Sequence, residues 1–539
     1  MLRINELKFP LDAPQEELKL AAAKVMKIKP EDIQELSIYR RSIDSRHKDN
    51  IQFVYAVDVI TTTDEQRILK RCDKRRVQQT EIYEYEMVEN KHQSDLRPVI
   101  VGFGPAGMFC ALMLARAGLR PIVLERGHDV DTRTKDVQKF WSERQLNPQS
   151  NIQFGEGGAG TFSDGKLTTG IKDRRQRKVF ADFVSFGAPD TILYSNYPHI
   201  GTDNLVLVVK NIREEIKRLG GDVLFGSRLT DLIIYNHYIQ GVTYETEDAA
   251  THDLETDTVV LALGHSARDT VEMLYQKGLT MIRKPFSVGA RIEHPREFID
   301  KAQYGSFAGH PALGAANYKM AFHGAHERGC YTFCMCPGGT VVNAASEEGG
   351  ICVNGMSTYA RDQENSNSAL LVNVNPEDLD GDHPLEGFAF QRQLEQTAFA
   401  LGGGDYTVPA QLVGDFLKEQ PSTHFGAVHP SCPTGTAPAD LRAVLPKKVT
   451  DTMAEGIVLM DGKLHGFAMP EAVLTGPEAR SSSPVRILRD DFYQCYLLKE
   501  PLGGVYPCGE GAGYAGGIVS AAVDGIRTAE AILTDEHAF

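Results

Sequence analysis

Hydrophobic and polar positions alternate along residues 2–9, the pattern of a strand whose two faces meet different surroundings. Over residues 14–26 the period changes: Leu18, Ala21, Ala22 and Val25 recur at helical spacing. Two more alternating stretches, 33–43 and 51–60, are joined by a polar turn at 45–50. A helical stretch at 64–72 and a strand-like stretch at 80–88 complete the order β-α-β-β-α-β. That order predicts a ferredoxin-like α+β domain over residues 1–95. It holds no nucleotide or metal motif, so a docking or oligomerisation role stands beside the plainer reading as a structural appendage. Residues 89–97 form a polar linker, and the pattern changes abruptly at Pro98.

Residues 99–101 (Val-Ile-Val) are a short apolar strand. They run into Gly102-Phe103-Gly104-Pro105-Ala106-Gly107 and a helical stretch at 108–117. A second strand-like stretch, 121–124, ends on Glu125, followed by Arg126. With its acid about 20 residues after the glycines, this is a full βαβ dinucleotide fingerprint. Gly102 permits the tight turn, Gly104 lets a pyrophosphate approach the backbone, and Gly107 lets the helix pack on the strand. Pro105 and Ala106 open the helix, whose free N–H groups face the diphosphate. Glu125 is expected to accept hydrogen bonds from the adenosine ribose, with Arg126 beside it. The alternative, a glycine turn that binds nothing, fits poorly with so complete a frame.

A second glycine cluster spans residues 154–167. Its Gly165-Lys166 pair is followed by Leu167, which rules out the Walker phosphate loop. It is read as an extended loop along the cofactor, with Gly157, Gly158 and Gly160 giving close approach and Thr161 or Ser163 bonding to it. A glycine-rich surface loop is the bland alternative.

Three segments decide between NAD and FAD, and they do so by resemblance. Residues 258–264, including Ala262 and Gly264, resemble the second nucleotide-contact strand of two-dinucleotide-binding-domain flavoproteins. Residues 222–229, ending on Leu229, resemble the strand under the adenine. Near the C-terminus Gly509-Glu510 and Gly516-Gly517-Ile518 precede a helical stretch at 519–533. In the glutathione reductase-like superfamily an acid at the place of Glu510 holds the ribityl chain, and the helix that follows points its N-terminus at the flavin. FAD is therefore the expected cofactor. Segments 102–107, 155–167, 331–339, 480–486 and 509–517 together resemble a bacterial family of FAD-dependent oxidoreductases often labelled NAD(FAD)-utilising dehydrogenases. The resemblance implies an α/β fold: a Rossmann-type discontinuous FAD-binding domain at 96–285 and 490–539, with an inserted substrate or cap domain at 286–489. It supplies no substrate.

Within the insert the pattern turns to short strand-like runs at 286–292, 331–335, 340–344 and 351–353, which predict a mostly antiparallel α+β cap. Arg480 and Arg486 flank three serines and a proline; they would clamp a carboxylate substrate, or else pair with structural acids or the diphosphate. His424 and His429 are candidate general acids or bases, each with a structural alternative. Cys330, Cys334 and Cys336 suggest a cluster or a redox disulfide, but a cluster needs a fourth ligand, from Cys352 or Cys432. Cysteines at i and i+2 of a strand share a face, so a disulfide between them is strained. Buried, inert thiols are the expectation, and no metal site is expected.

Length and composition add limits. With 539 residues the chain makes about two to four domains. A net charge of −15 weighs against a nucleic-acid surface; the basic run at 70–76 reads as a solvated helix end. Nine cysteines without framework spacing, no apolar leader and no window long enough to span a bilayer point to a cytoplasmic protein. The expected activity is hydride transfer between a small-molecule substrate and flavin N5. There is one dinucleotide fingerprint, so NAD(P)H or another electron partner would have to dock without its own Rossmann domain. A tRNA-modifying flavoprotein and a non-catalytic FAD sensor are the alternatives.

Overall fold

The computed structural model describes residues 1–324 and 328–535. Its N-terminal part is a four-stranded antiparallel sheet in the order Ile33–Asp44, Gln52–Thr61, Leu2–Pro10, Val77–Gln79. The helices Glu17–Met26 and Glu65–Arg71 turn Leu18, Ala22, Met26 and Ile68 onto the sheet residues Leu2, Ile4, Val57 and Val59. The last strand is Val77–Gln79, not 80–88. Residues 80–88 leave the sheet and run as an arm onto the C-terminal helix. There the Tyr85 hydroxyl donates to Glu530 at 2.8 Å, and Tyr85 and Val88 pack on the central core. Apolar alternation along the arm thus serves contact with another body instead of strand pairing.

The central body is a five-stranded parallel sheet in the order Val505–Pro507, Val259–Leu261, Val99–Val101, Ile122–Leu124, Asp222–Leu224. Its inner strands are buried on both faces, which is why they read as unbroken apolar runs. Ile100, Val123 and Val260 face the helices Pro105–Arg116 and Ile518–Thr534; Val99, Val101, Leu124, Val259 and Leu261 face a three-stranded sheet on the other side. The first helix begins at Pro105, three residues before the expected start, because proline suits the first helical position. Glycine is required where the two helices cross: a Cβ on Gly525 would stand 2.2 Å from the Ala106 carbonyl oxygen.

The chain leaves this body along Met281–Arg283 and returns along Val485–Ile487, and these two strands pair antiparallel as a neck. Between them lies a seven-stranded sheet, antiparallel except for one parallel edge pair. Its centre, Phe286–Pro295, is almost wholly buried. The run expected at 351–353 forms its strand slightly later, at Val353–Met356. The architecture is mixed α/β, with parallel and antiparallel sheets in separate bodies. No described helix is long and apolar enough to cross a membrane.

Candidate functional site

A cavity with about 1470 Å³ of empty space runs from the Gly102–Gly104 turn to the wall of the seven-stranded sheet. The sequence-predicted residues Gly102, Gly104, Pro105, Ala106, Glu125, Arg126, Gly158, Gly160, Ser163 and Leu229 line it. From the other chain segments come Ala262, Gly264, Glu510, Gly516, Gly517 and Ile518. Tertiary structure therefore gathers segments separated by hundreds of residues around one space.

At the turn, Gly102 has φ +100° and a Cβ there would lie 2.4 Å from the Ala262 carbonyl oxygen. Gly107 lies behind the wall; its Cβ would strike the Gly102 carbonyl at 1.9 Å. Glu125, expected to serve a ribose, is bonded to the backbone. Its carboxylate accepts backbone N–H bonds from Phe103 (2.8 Å), Gly127 (2.9 Å) and Gly155 (2.9 Å). It thus ties the dinucleotide turn to the second glycine loop while still facing the cavity. Arg126 lies over the Phe154 ring and is paired with Asp269.

The second loop is a short 3-10 turn, Gly158–Phe162, in place of an extended run. Gly157 donates its N–H to the Phe103 carbonyl at 2.9 Å, and a Cβ on Gly158 would stand 3.0 Å from the Gly104 Cα. Both glycines have positive φ. Thr161 turns inward and donates to the Glu156 carbonyl; Ser163 donates to the Gly160 carbonyl at 2.6 Å. Neither hydroxyl is free in this state. The organiser is Arg133, which the sequence reading missed. Fully buried, it donates to the carbonyls of Asn151, Ile152, Glu156 and Gly158. A lone arginine in a helix gives no sequence signal for such a role. Asp164 fixes the far end of the loop through two bonds from Arg361 of the cap, at 2.9 and 2.6 Å.

At the opposite end the helix Ile518–Thr534 opens on Gly517, with no side chain capping it. Its first-turn N–H groups have no partner within the helix. A Cβ on Gly516 or Gly517 would meet no protein atom, and both residues line the cavity. Gly509 sits behind, its N–H donating to Asp524 at 2.8 Å. Burial pushes the Glu510 carboxyl up to about 7, with Lys284 opposing that rise.

From the chain between the two neck strands the cavity receives Phe333, Cys334, Asn354, Glu478, Arg480 and Ser481. Burial pushes Glu478 up to about 7 as well, although Arg291 donates to it at 3.0 Å. Arg480 lines the cavity, but its guanidinium is committed to Glu395, at 2.8 and 2.6 Å, and to Ser346. Arg486 is not in the wall: it bonds to the Gly513 carbonyl and stacks on Tyr514. His424 and His429 are exposed and lie outside the cavity. Burial lowers His265, a wall residue of the central body, to about 3, so its imidazole is neutral near neutral pH. Among the described residues no group of three or more histidines, cysteines or acids is arranged to hold a metal.

The residues fit FAD: two glycine turns that admit backbone approach, an acid at each end, and two helix N-termini on one elongated space. Residues 285–481 match the domain family described as "FAD-dependent protein, C-terminal domain-like", and residues 1–60 match a domain of unknown function. FAD is the cofactor of this protein. The chain belongs to one family with an uncharacterized protein of Clostridium beijerinckii, 48% identical over 534 residues that cover 99% of this chain and 98% of the relative. Among solved structures it superposes loosely on a flavoprotein/dehydrogenase from Cytophaga hutchinsonii (12% identity, 81% and 76% of the two chains, TM-score 0.34). A geranylgeranyl bacteriochlorophyll reductase-like protein from Thermoplasma acidophilum superposes similarly (11% identity, 81% and 77%, TM-score 0.35).

Proposed function

We propose that this protein is an oxidoreductase that moves a hydride between flavin N5 and a small-molecule substrate held against the seven-stranded sheet. The observation that carries the reading is the continuity of one cavity from the dinucleotide turn to the cap wall. In this reading residues 1–95 form a ferredoxin-like domain, 96–285 with 490–539 the FAD-binding domain, and 286–489 the cap. Bound FAD supplies a two-electron redox centre. The chain supplies the rest. The loop around Gly158 and the turn at Gly104 hold the diphosphate, and Glu510 holds the ribityl chain. The cap wall excludes water from the substrate. Glu478 and Glu510, each near 7, hold or accept a proton on a carboxyl oxygen close to neutral pH. The electron partner, NAD(P)H or another carrier, docks at the cap side without a Rossmann domain of its own.

Anaerobic mixing tests this. NADH, NADPH and organic hydride donors are each mixed with the holoprotein, and flavin bleaching is followed. Bleaching that is faster than with free FAD, and slowed when the transferred hydrogen is deuterium, is the expected result. A flavin that no donor reduces faster than free FAD sinks the reading.

A further inference from the structure

One strand of the cap departs from regular geometry where it meets the cavity. In the strand Gly329–Cys336, Phe333 lies opposite Ala369 and Cys336 opposite Asn367. Three steps along one strand match two along the other, so the strand carries a bulge. Within it Cys334 has φ +44°, the left-handed region that a residue with a Cβ avoids. Such outliers gather where function needs a side chain re-aimed.

Here the consequence falls on two neighbouring cysteines. In a regular strand Cys334 and Cys336 would stand side by side on one face, about 7 Å apart. With the bulge, Cys334 opens into the cavity and Cys336 lies buried beneath it. The Cys336 sulfur is also 3.3 Å from the Cys334 carbonyl. Cations surround the pair. Arg291 donates to the Cys334 carbonyl at 2.6 Å and reaches the Cys336 sulfur at 3.9 Å, and Lys166 shares the cavity wall. The remaining cysteines of the cap differ: burial pushes Cys330 up to about 12 and Cys352 and Cys432 up to about 11, the state of inert thiols. The Cys336 hydrogen bond, with Lys166 and Arg291, brings Cys334 down to about 6 against the effect of burial.

We propose that Cys334 and Cys336 are a dithiol–disulfide couple that exchanges two electrons with the FAD across the cavity. The proposal rests on the oxidoreductase reading and gives it a protein-borne redox partner. The step balances within the molecule. The disulfide accepts an electron pair from the reduced, anionic flavin, and the S–S bond breaks. Cys334 departs as the thiolate, Cys336 takes up the proton that the flavin gives up, and the flavin is left oxidised. The reverse passage closes the disulfide. Cys334, facing the cavity, is the sulfur open to a thiol or disulfide from outside; Cys336 is the resolving thiol.

The test uses the holoprotein. It is oxidised with diamide, freed of reagent, and its bound FAD is photoreduced with EDTA under anaerobic conditions. Samples are then denatured, alkylated and analysed by peptide mass. The expected result is a Cys334–Cys336 disulfide in the dark sample that is replaced by two alkylated thiols as the flavin is reduced. Cys336→Ser, which leaves a lone Cys334 thiolate beside oxidised FAD, should gain long-wavelength charge-transfer absorbance that is lost as the thiolate is protonated in acid. Cys334→Ser should lack that band while retaining its FAD. Failure of diamide to form the disulfide overturns the proposal. A flavin that bleaches while the disulfide persists also overturns it and leaves the oxidoreductase reading standing. A flavin that cannot be reduced at all removes both.

Discussion

Glu125 shows how a side chain expected in one task is found in another. Its position at the end of a strand marks it as a ribose acceptor, while its observed bonds to Phe103, Gly127 and Gly155 make it the tie between both glycine turns. Replacing it with alanine leaves three backbone N–H groups without an acceptor. Glu125→Ala is expected to weaken FAD binding by on the order of 1–3 kcal/mol and to lower thermal stability in the same variant. FAD titration of the apoprotein, with a melting curve, measures both; unchanged affinity would show that another group holds the ribose. At this scale the cysteines also differ: Cys330 is buried, whereas Cys334 is brought to the cavity wall by a backbone conformation that no residue pattern announces.

At the scale of elements, the C-terminal helix is the clearest instrument. Gly516, Gly517 and Ile518 bring its N-terminus to the cavity wall without a side-chain cap. Aligned peptides place about half a positive charge there. Reduced flavin near neutral pH carries negative charge on its pyrimidine edge. A helix end facing that edge favours the reduced form and raises the potential. Gly517→Val puts two methyl groups into space that the protein leaves open. The variant is expected to show a lower flavin potential, weaker FAD binding, or both, in potentiometric titration. Full FAD content with an unchanged potential would leave the glycines only a steric role in the turn. The helix itself was legible from its apolar period; the strand expected at 80–88 was not, because an arm packed across another body shows the same alternation as a strand.

The whole molecule is joined by charge where the central body meets the cap. Arg268, at the start of a central-body helix, and Arg480, at the end of the cap, both grip Glu395 of the helix Glu386–Leu401. All three are buried. Burial alone would raise the Glu395 carboxyl, but the two guanidinium groups bring it down to about 2. Its folded value lies below its unfolded one of 4.5, so its contribution to stability is full above that value and is lost as pH falls through about 2. Glu395→Gln takes the carboxylate from buried Arg480 and leaves Arg268 with Glu347 alone, and a loss of about 3–5 kcal/mol at neutral pH is expected. Denaturant unfolding should show the gap between variant and wild type narrowing in acid. A constant gap would assign the cost to packing instead.

The order of apolar strand, glycine turn, helix and acid predicted a dinucleotide turn without reference to anything distant, because each part acts through its own backbone: turn, close approach, helix N-terminus. The same locality made Gly516-Gly517 and the second glycine loop visible. What only tertiary structure decided is how side chains are spent. For Arg480 a substrate clamp and a structural pairing stood side by side until folding brought Glu395 against it. His424 and His429 looked like acids and bases until the chain left them on the surface. Glu478, Asn354 and Cys334 reached the cavity only through the packing of residues 286–489 against the central body. The physical reason is range: backbone conformation is set by neighbours in sequence, whereas burial, pairing and the charge state of an acid or thiol are set by neighbours in space.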